Sequence, residues 1–166
     1  IDYIEVAPTN NDIMFVSNGT QLFKSTNRGL SFSLVYTAPS AITSIDVNYS
    51  DANIVYITTS GVSGTVRKST NGGSTFTDIT SGIPNIGKNI IIHQGRNSLN
   101  PLYVGPSLGV YYKDDSMASF QAFDSNLPNV SVTDLEINLE DGKIIAGTYG
   151  RGIWQSNIPI EIPSND

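Results

Sequence analysis

The chain has 166 residues, a net charge of −6 and a pI near 4.5, with 39% hydrophobic and 14% charged residues. This length allows one domain with a real core, and the nine scattered Lys and Arg residues exclude the basic surface that nucleic acids require. The absence of cysteine excludes disulfides and Cys-based metal sites or nucleophiles, and no apolar run predicts a transmembrane helix. We therefore expect no nucleic-acid partner and no membrane insertion.

The chain begins at Ile1 without a signal peptide, which we interpret as a trimmed or excised segment. Low charge combined with abundant Asn, Ser and Thr is typical of an extracellular protein. We expect a secreted or cell-surface location.

Three apolar markers recur along the chain and define a period. An inner segment opens each unit: "IDYIEVAP", "ITSIDVNYS", "NIIIHQG" and "VTDLEINLE". A second marker follows each inner segment: "NDIMFVSNG", "ANIVYITTSG", "NPLYVGPSLG" and "GKIIAGTYGRG". The third marker aligns Phe23-Lys24, Arg67-Lys68, Tyr112-Lys113 and Trp154-Gln155 at spacings of 44, 45 and 42 residues. Four units result, at about 1–41, 42–87, 88–130 and 131–161, and residues 162–166 are predicted to be a linker or tail.

Each unit reads as short strands that alternate apolar and polar residues and are separated by turn residues. In the second unit we place strands near 42–48, 53–60, 64–69 and 75–79. Four antiparallel strands at a period of 40–50 residues indicate a β-propeller blade. The predicted fold is all-β, with four repeats of about 43 residues, each a four-stranded antiparallel sheet, as part of a larger propeller.

The nonapeptides "KSTNRGLSF" (24–32) and "KSTNGGSTF" (68–76) fall between the third and fourth strands of their units. An Asn side chain can bond backbone N–H groups two residues on, and a glycine supplies a positive φ without a Cβ penalty. The aromatic residue starts the next strand and packs beneath the turn. These turns are therefore structural markers, expected to face away from the ligand site.

Both turns resemble the Asp-box, or BNR repeat, of sialidases, xyloglucanase-type glycoside hydrolases, sortilin-like receptors and secreted bacterial propellers. Asn replaces the Asp of that motif, which weakens any metal role, and we expect no metal and no cofactor. The motif is shortened in the third unit and lost in the fourth. The structural positions implied are Ser25, Asn27, Gly29, Ser31, Phe32, Ser69, Asn71, Gly73, Thr75 and Phe76.

Residues 109–159, and "GTYGRGIW" (147–154) above all, resemble the last propeller blades of large secreted proteins from Bacteroidetes-type bacteria. The resemblance implies a multidomain parent protein. Most propellers have six to eight blades, so the simplest interpretation is part of a larger ring. A second chain, another protein supplying the missing blades, or a closed four-bladed ring are the alternatives.

Ligands of propellers usually bind where the second-to-third strand loops meet the inter-blade loops, and here both loop sets are short. A sialidase needs an arginine cluster, which the scattered Arg28, Arg67, Arg96 and Arg151 do not form. A glycosidase needs two carboxylates across a cleft. Asp124 and Asp134 lie near the predicted ligand face, but their spacing does not pair them.

Three acidic residues, Glu5, Asp46 and Glu136, align on the innermost strand and either line an acidic central channel or are simply solvated. His93, the only histidine, is expected to be a hydrogen-bonded strand residue rather than a ligand or base. Trp154 aligns with Phe23 and Tyr112 and is predicted to belong to the inter-blade core.

Tyr149 and Arg151 are the better candidates for contacting a glycan or peptide.

Two functions remain open. The first is a non-catalytic module that binds glycan or protein or spaces other domains. The second is part of a glycoside hydrolase of xyloglucanase or sialidase type.

Overall fold

The computed structural model describes residues 1–123, 127 and 129–159. Every regular element in these residues is a strand, and the strands form four antiparallel sheets, here named blades 1 to 4. Blade 1 contains β1 (Ile4–Val6), β2 (Met14–Asn18), β3 (Gln21–Ser25) and β4 (Ser33–Thr37). Blade 2 contains β5 (Ile42–Val47), β6 (Val55–Thr59), β7 (Val66–Ser69) and β8 (Thr77–Asp78).

The second half of the chain repeats this order with one difference. Blade 3 contains β9 (Lys88–His93), β10 (Leu102–Pro106), β11 (Tyr111–Lys113) and β12 (Gln121–Ala122). Blade 4 contains β13 (Val132–Asn138), β14 (Lys143–Thr148) and β15 (Gly152–Asn157). The prediction of four strands per unit therefore holds for blades 1 to 3, whereas blade 4 has three strands among the described residues.

The blades stack face to face through three hydrophobic clusters, one between each pair of sequence neighbours. Phe15, Tyr56 and Tyr103 occupy the same position in the second strands of blades 1 to 3, and each is completely buried against the following blade. Strands β6 and β10 are buried along their whole length because each has a blade on both sides. No such cluster joins blade 4 to blade 1 within the described residues, so the blades form an open arc.

The register corrects the sequence alignment of the third unit. Lys24 pairs with Phe15, Lys68 with Tyr56, Tyr112 with Tyr103 and Gln155 with Ile145. Tyr111, rather than Tyr112, is thus the counterpart of Trp154, and the true spacings are a more even 44, 44 and 43 residues. The error arose because the sequence alignment matched Lys113 with Lys24 and Lys68, whereas Tyr112 occupies that place, and in this register the third turn is as long as the other two.

The two ends of the arc differ in chemistry. On blade 1 the open flank is apolar, with Ile4 57% and Leu34 50% exposed beside Val6 and Phe32. On blade 4 the open flank places the polar side chains of Glu136 and Gln155 in one row with Ile145. Apolar surface of this kind is ordinarily covered by another protein surface.

Bonds from side chains to backbone also join adjacent blades. The Thr43 hydroxyl donates to the Lys88 carbonyl at 2.6 Å, and the Asn89 amide donates to the Val132 carbonyl at 2.8 Å. The Ile91 N–H donates to the Ser44 hydroxyl at 3.3 Å. These bonds fix the inner strands of neighbouring blades at a constant spacing.

Candidate functional site

The two repeated turns have the same hydrogen bonds. In the first, the Ser25 hydroxyl donates to Asn27 Oδ1 (2.9 Å) and accepts the N–H groups of Asn27 and Gly29. Asn27 Oδ1 accepts the Ser31 N–H at 3.0 Å, while its amide donates to the Ser31 hydroxyl at 2.8 Å. In the second turn the corresponding bonds join Ser69, Asn71, Gly73 and Thr75 at 2.8–3.3 Å.

This network refines the predicted role of the Asn side chain. The N–H of Gly29, two residues after Asn27, donates to the Ser25 hydroxyl. Asn27 Oδ1 instead accepts the N–H of Ser31, four residues after it. Gly29 and Gly73 have φ values of 79° and 85°, the left-handed conformation expected of them. The amide of Asn27 also donates to a hydroxyl, which a carboxylate could not do.

The loops divide between two faces of the arc. The turns between the second and third strands bond to the inter-blade segments, through pairs such as Ile42 N–H to Gly19 O and Tyr149 N–H to Ser131 O. We call this the upper face. The repeated turns instead bond to the first-to-second strand loops, as in Gly72 N–H to Asn53 O, and define the lower face.

Tyr149 and Arg151 lie together on the β14–β15 turn of the upper face, both exposed, with the Tyr149 side chain 81% exposed. Asp134 lies on β13, where its carboxylate accepts the Leu135 N–H, and it pairs with Gly147 near the same end of the blade. Asp124 lies outside the described residues. The described candidates thus share one end of blade 4.

Trp154 follows on β15, on the side of blade 4 that faces blade 3, because it pairs with Ala146 of the interface. Its side chain remains 38% exposed, and its Nε1 donates to the Arg151 carbonyl at 2.9 Å. Trp154 therefore sits at the rim of the inter-blade core rather than inside it.

Glu5, Asp46 and Glu136 converge on the central channel. Burial is the main cause that raises the pKa of Glu5 and Asp46, and the negative charge of Glu136 raises both further. A cleft of about 230 Å³ in the channel is lined by residues from all four blades, including Pro8, Asp46 and Leu139. These three acidic residues therefore lie at the central channel. Asp46 also makes hydrogen bonds to the backbone.

The Asp46 carboxylate bridges blades 2 and 3. Its two oxygens accept the Val47 N–H (2.8 Å) and the His93 N–H. Both acceptors are thereby engaged with backbone, so this side chain fixes the inner strands. Sequence alone could not reveal this role, because the partner lies 47 residues away.

His93 is a hydrogen-bonded strand residue, as expected. The Tyr49 N–H lies 3.2 Å from Nδ1, and the Asn48 amide nitrogen lies 3.1 Å from Nε2, so both ring nitrogens face donors of the chain. The ring stacks on Tyr56, and burial lowers the His93 pKa to about 4.

The described residues contain no arginine cluster. Arg28 pairs with Asp12 on the lower face, Arg67 lies against Tyr36 between blades 1 and 2, and Arg151 is on the upper face. No group of three or more acidic or histidine side chains in the described part is placed to hold a metal ion. Likewise, no helix in this part is long and apolar enough to cross a membrane.

No protein-family model matches the sequence, and no curated protein matches it either. Solved structures do match. The GH74 enzyme of Niastella koreensis superposes with a TM-score of 0.74 at 17% identity, over 94% of this chain and 28% of that chain. The GH74 xyloglucanase of Xanthomonas campestris gives 0.77 at 14% identity, over 95% and 29%.

Hydrazine synthase of Kuenenia stuttgartiensis gives a TM-score of 0.74 at 15% identity, over 94% of this chain and 45% of that chain. The chain therefore spans less than half the length of each of these structures. At such low identity the likeness concerns the fold alone. Together with the four stacked antiparallel sheets, it shows that this chain is built as β-propeller blades.

Proposed function

We propose that this chain is a non-catalytic β-propeller module of a secreted or cell-surface bacterial protein, which binds glycan or protein through its upper face. The main support for binding is the exposure of Tyr149, an aromatic residue that is 81% exposed on a short turn. The bond from Tyr149 N–H to Ser131 O (2.9 Å) ties this turn to the inter-blade segment. A flat, exposed ring on a rigid scaffold suits stacking against a sugar, and the Arg151 guanidinium beside it can donate to hydroxyl or carboxylate oxygens.

The repeated turns support the same class of protein. Their serine–asparagine network and left-handed glycines fit the Asp-box pattern with Asn in place of Asp. We propose that they act only as structural turns. Because the chain spans less than a third of the GH74 structures it matches, we further propose that other blades, from the same or another chain, complete the ring.

Calorimetric titration with xyloglucan oligosaccharides tests the binding proposal, since a xyloglucanase is among the similar structures. We expect saturable binding that weakens at least about tenfold in Tyr149→Ala, because a stacked ring is lost. Phe32→Ala, which removes a partly exposed ring on the lower face, is the matched control and should bind like the unchanged chain. Equal affinity in the two variants would contradict the role of Tyr149.

A glycoside hydrolase function is the second candidate, favoured by the GH74 enzymes among the similar structures. Release of reducing ends from xyloglucan measures it directly. Turnover that is lost in Asp134→Asn would replace the binding-module proposal. Binding without release would support the module.

A further inference from the structure

The turn between β2 and β3 contains an asparagine that is followed by a glycine. Asn18 is the last residue of β2, where it pairs with Gln21, and it is exposed. Its side chain makes no hydrogen bond to any residue that the structure describes. An asparagine before a glycine can lose its side-chain amide, because the glycine nitrogen reaches the amide carbon without hindrance from a Cβ.

A carboxylate lies beside the nitrogen that makes this attack. The Gly19 N–H donates to Asp2 Oδ2 at 2.7 Å. A carboxylate can take up the proton of a hydrogen-bonded donor, whereas a backbone carbonyl is too weak a base to do so. Asp2 is therefore placed as a general base toward the Gly19 nitrogen.

The turn also leaves room for the ring that the attack closes. Gly19 has a φ of 57°, and beyond its chain neighbours no atom lies within 4 Å of the position that a Cβ on Gly19 would take. Rotation about the Cα–C bond of Asn18 disturbs only the last pair of the strand ladder, with Gln21. Meanwhile the Gly19 carbonyl accepts the Ile42 N–H at 2.9 Å, which holds the glycine in place.

The same dipeptide in blade 2 has the opposite surroundings. Asn71 Oδ1 accepts the Thr75 N–H at 2.9 Å, and the Asn71 amide donates to the Thr75 hydroxyl at 2.8 Å. The Gly72 N–H donates to the Asn53 carbonyl at 2.8 Å, so its acceptor is not a carboxylate. Lys24 Nζ lies 2.5 Å from the position that a Cβ on Gly72 would take, so the space beside this glycine is occupied.

We propose that Asn18 is a site of self-modification, at which the Gly19 nitrogen displaces the side-chain amide as ammonia and Asp2 acts as the general base. The bond from Gly19 N to Asn18 Cγ forms while the Asp2 carboxylate takes the Gly19 proton. The bond from Asn18 Cγ to Nδ2 then breaks, and Asp2 returns the proton to the departing ammonia. Water opens the resulting cyclic imide to aspartate or isoaspartate.

The reaction changes the upper face, where this turn lies. Either product adds a negative charge there, and isoaspartate also inserts an extra carbon into the backbone of the turn. The aged chain thus presents a different upper face at blade 1 from that of the newly made chain. This proposal is independent of ligand binding at Tyr149, which lies on blade 4.

Peptide mass spectrometry of the ageing chain tests the proposal. The 166-residue chain is kept at neutral pH and physiological temperature, and trypsin then releases residues 1–24 and 69–88 as separate peptides. We expect Asn18 to lose its amide at least about tenfold faster than Asn71, because only Asn18 has a free side chain and a neighbouring base. In the chain unfolded in urea the two rates should be comparable. Equal rates in the folded chain, or a ratio that persists after unfolding, would overturn the proposal.

A variant of Asp2 separates proton transfer from a purely structural role. In Asp2→Asn the side-chain oxygen still accepts the Gly19 N–H but cannot take its proton, so the loss of the Asn18 amide should slow by about tenfold or more. If Asp2 only holds the turn in place, this variant should react at the same rate or faster, and that result would overturn the proposal. Asp12→Asn removes a carboxylate from the lower face of the same blade and is the matched control, which should react like the unchanged chain.

Discussion

In each repeated turn, a single serine hydroxyl accepts two backbone N–H groups and donates to the neighbouring asparagine. Ser69 is buried, and one of its donors, the Gly73 N–H, is buried as well. If this hydroxyl is removed, water does not reach the buried Gly73 N–H to replace it as an acceptor. The turn therefore depends on this small side chain more than on the exposed residues around it.

Replacing Ser69 with Ala should lower the free energy of unfolding by about 1–3 kcal/mol, because two N–H groups lose their acceptor. Urea denaturation measures the change. The exposed Ser74 of the same turn is the control, and Ser74→Ala should change stability by less than about 0.5 kcal/mol. Similar losses in both variants would contradict the role of the Ser69 hydroxyl.

The buried His93 ring makes stability depend on pH. Its folded pKa of about 4 lies below the ordinary 6.5, so the unfolded chain takes up the proton first. The stabilising contribution is complete above about pH 6.5 and is lost as pH falls toward 4, up to about 3 kcal/mol in total. Asp46 and Glu5 have raised pKa values in the folded chain, so their contributions to stability decrease as the pH rises.

Unfolding measured from pH 7 to pH 4 in the unchanged chain and in His93→Gln isolates this contribution. The variant keeps Asp46 and Glu5, so the difference between the two curves belongs to His93. We expect that difference to shrink as the pH falls. Parallel curves would show that His93 does not titrate as its burial implies.

At the scale of strands, an aromatic residue directly precedes the fourth strand of blades 1 to 3, and in blades 2 and 3 it packs at the interface with the preceding blade. Phe120 is enclosed there, whereas Phe32 is 36% exposed, because no described blade packs against that side of blade 1. The same residue type thus experiences two environments within one chain.

Phe120→Ala should lower the free energy of unfolding by about 3–5 kcal/mol, since it leaves a cavity between blades 2 and 3. Phe32→Ala is the matched control and should cost less than about 1 kcal/mol. Chemical denaturation of both variants makes the comparison. A large loss in Phe32→Ala would mean that the flank of blade 1 is covered in solution.

Strand order was predictable because each strand alternates apolar and polar residues and each turn carries Gly, Asn or Ser at fixed offsets. Register was less predictable in the third unit, where the turn has lost its Ser, Asn and Gly and the match of Lys113 with Lys68 moved Tyr112 into the place of Tyr111. The role of Asp46 depends on a backbone group 47 residues away, which no local pattern contains.

At the scale of the whole molecule, the arc has one apolar end and one polar end. Ile4 and Val6 on blade 1 are the counterparts of Ile45 and Val47, which pack between blades 1 and 2, and Leu34 is exposed on the same flank as Ile4 and Val6. Exposed apolar surface of this type favours association. The opposite end mixes the polar side chains of Glu136 and Gln155 with Ile145 and the exposed Ile153, so it is less apolar than the flank of blade 1.

We expect the isolated chain to self-associate through blade 1, with an apparent mass that rises with concentration in sedimentation velocity. Leu34→Glu should make it monomeric, because a charge would be buried in the contact. Leu30→Glu, in the exposed lower-face turn, is the control and should associate normally. A monomer at all concentrations would show that the flank is not used between copies.

The bonds between neighbouring inner strands share one property. The carboxylate of Asp46 and the side chains of Thr43, Ser44 and Asn89 all reach backbone groups of the next blade, and Asn89 additionally donates to the Ser131 hydroxyl. Every amino acid except proline presents those groups, so the partner residue can change without losing the bond. The residue that receives such a bond could therefore be exchanged while the contact between the two blades is kept.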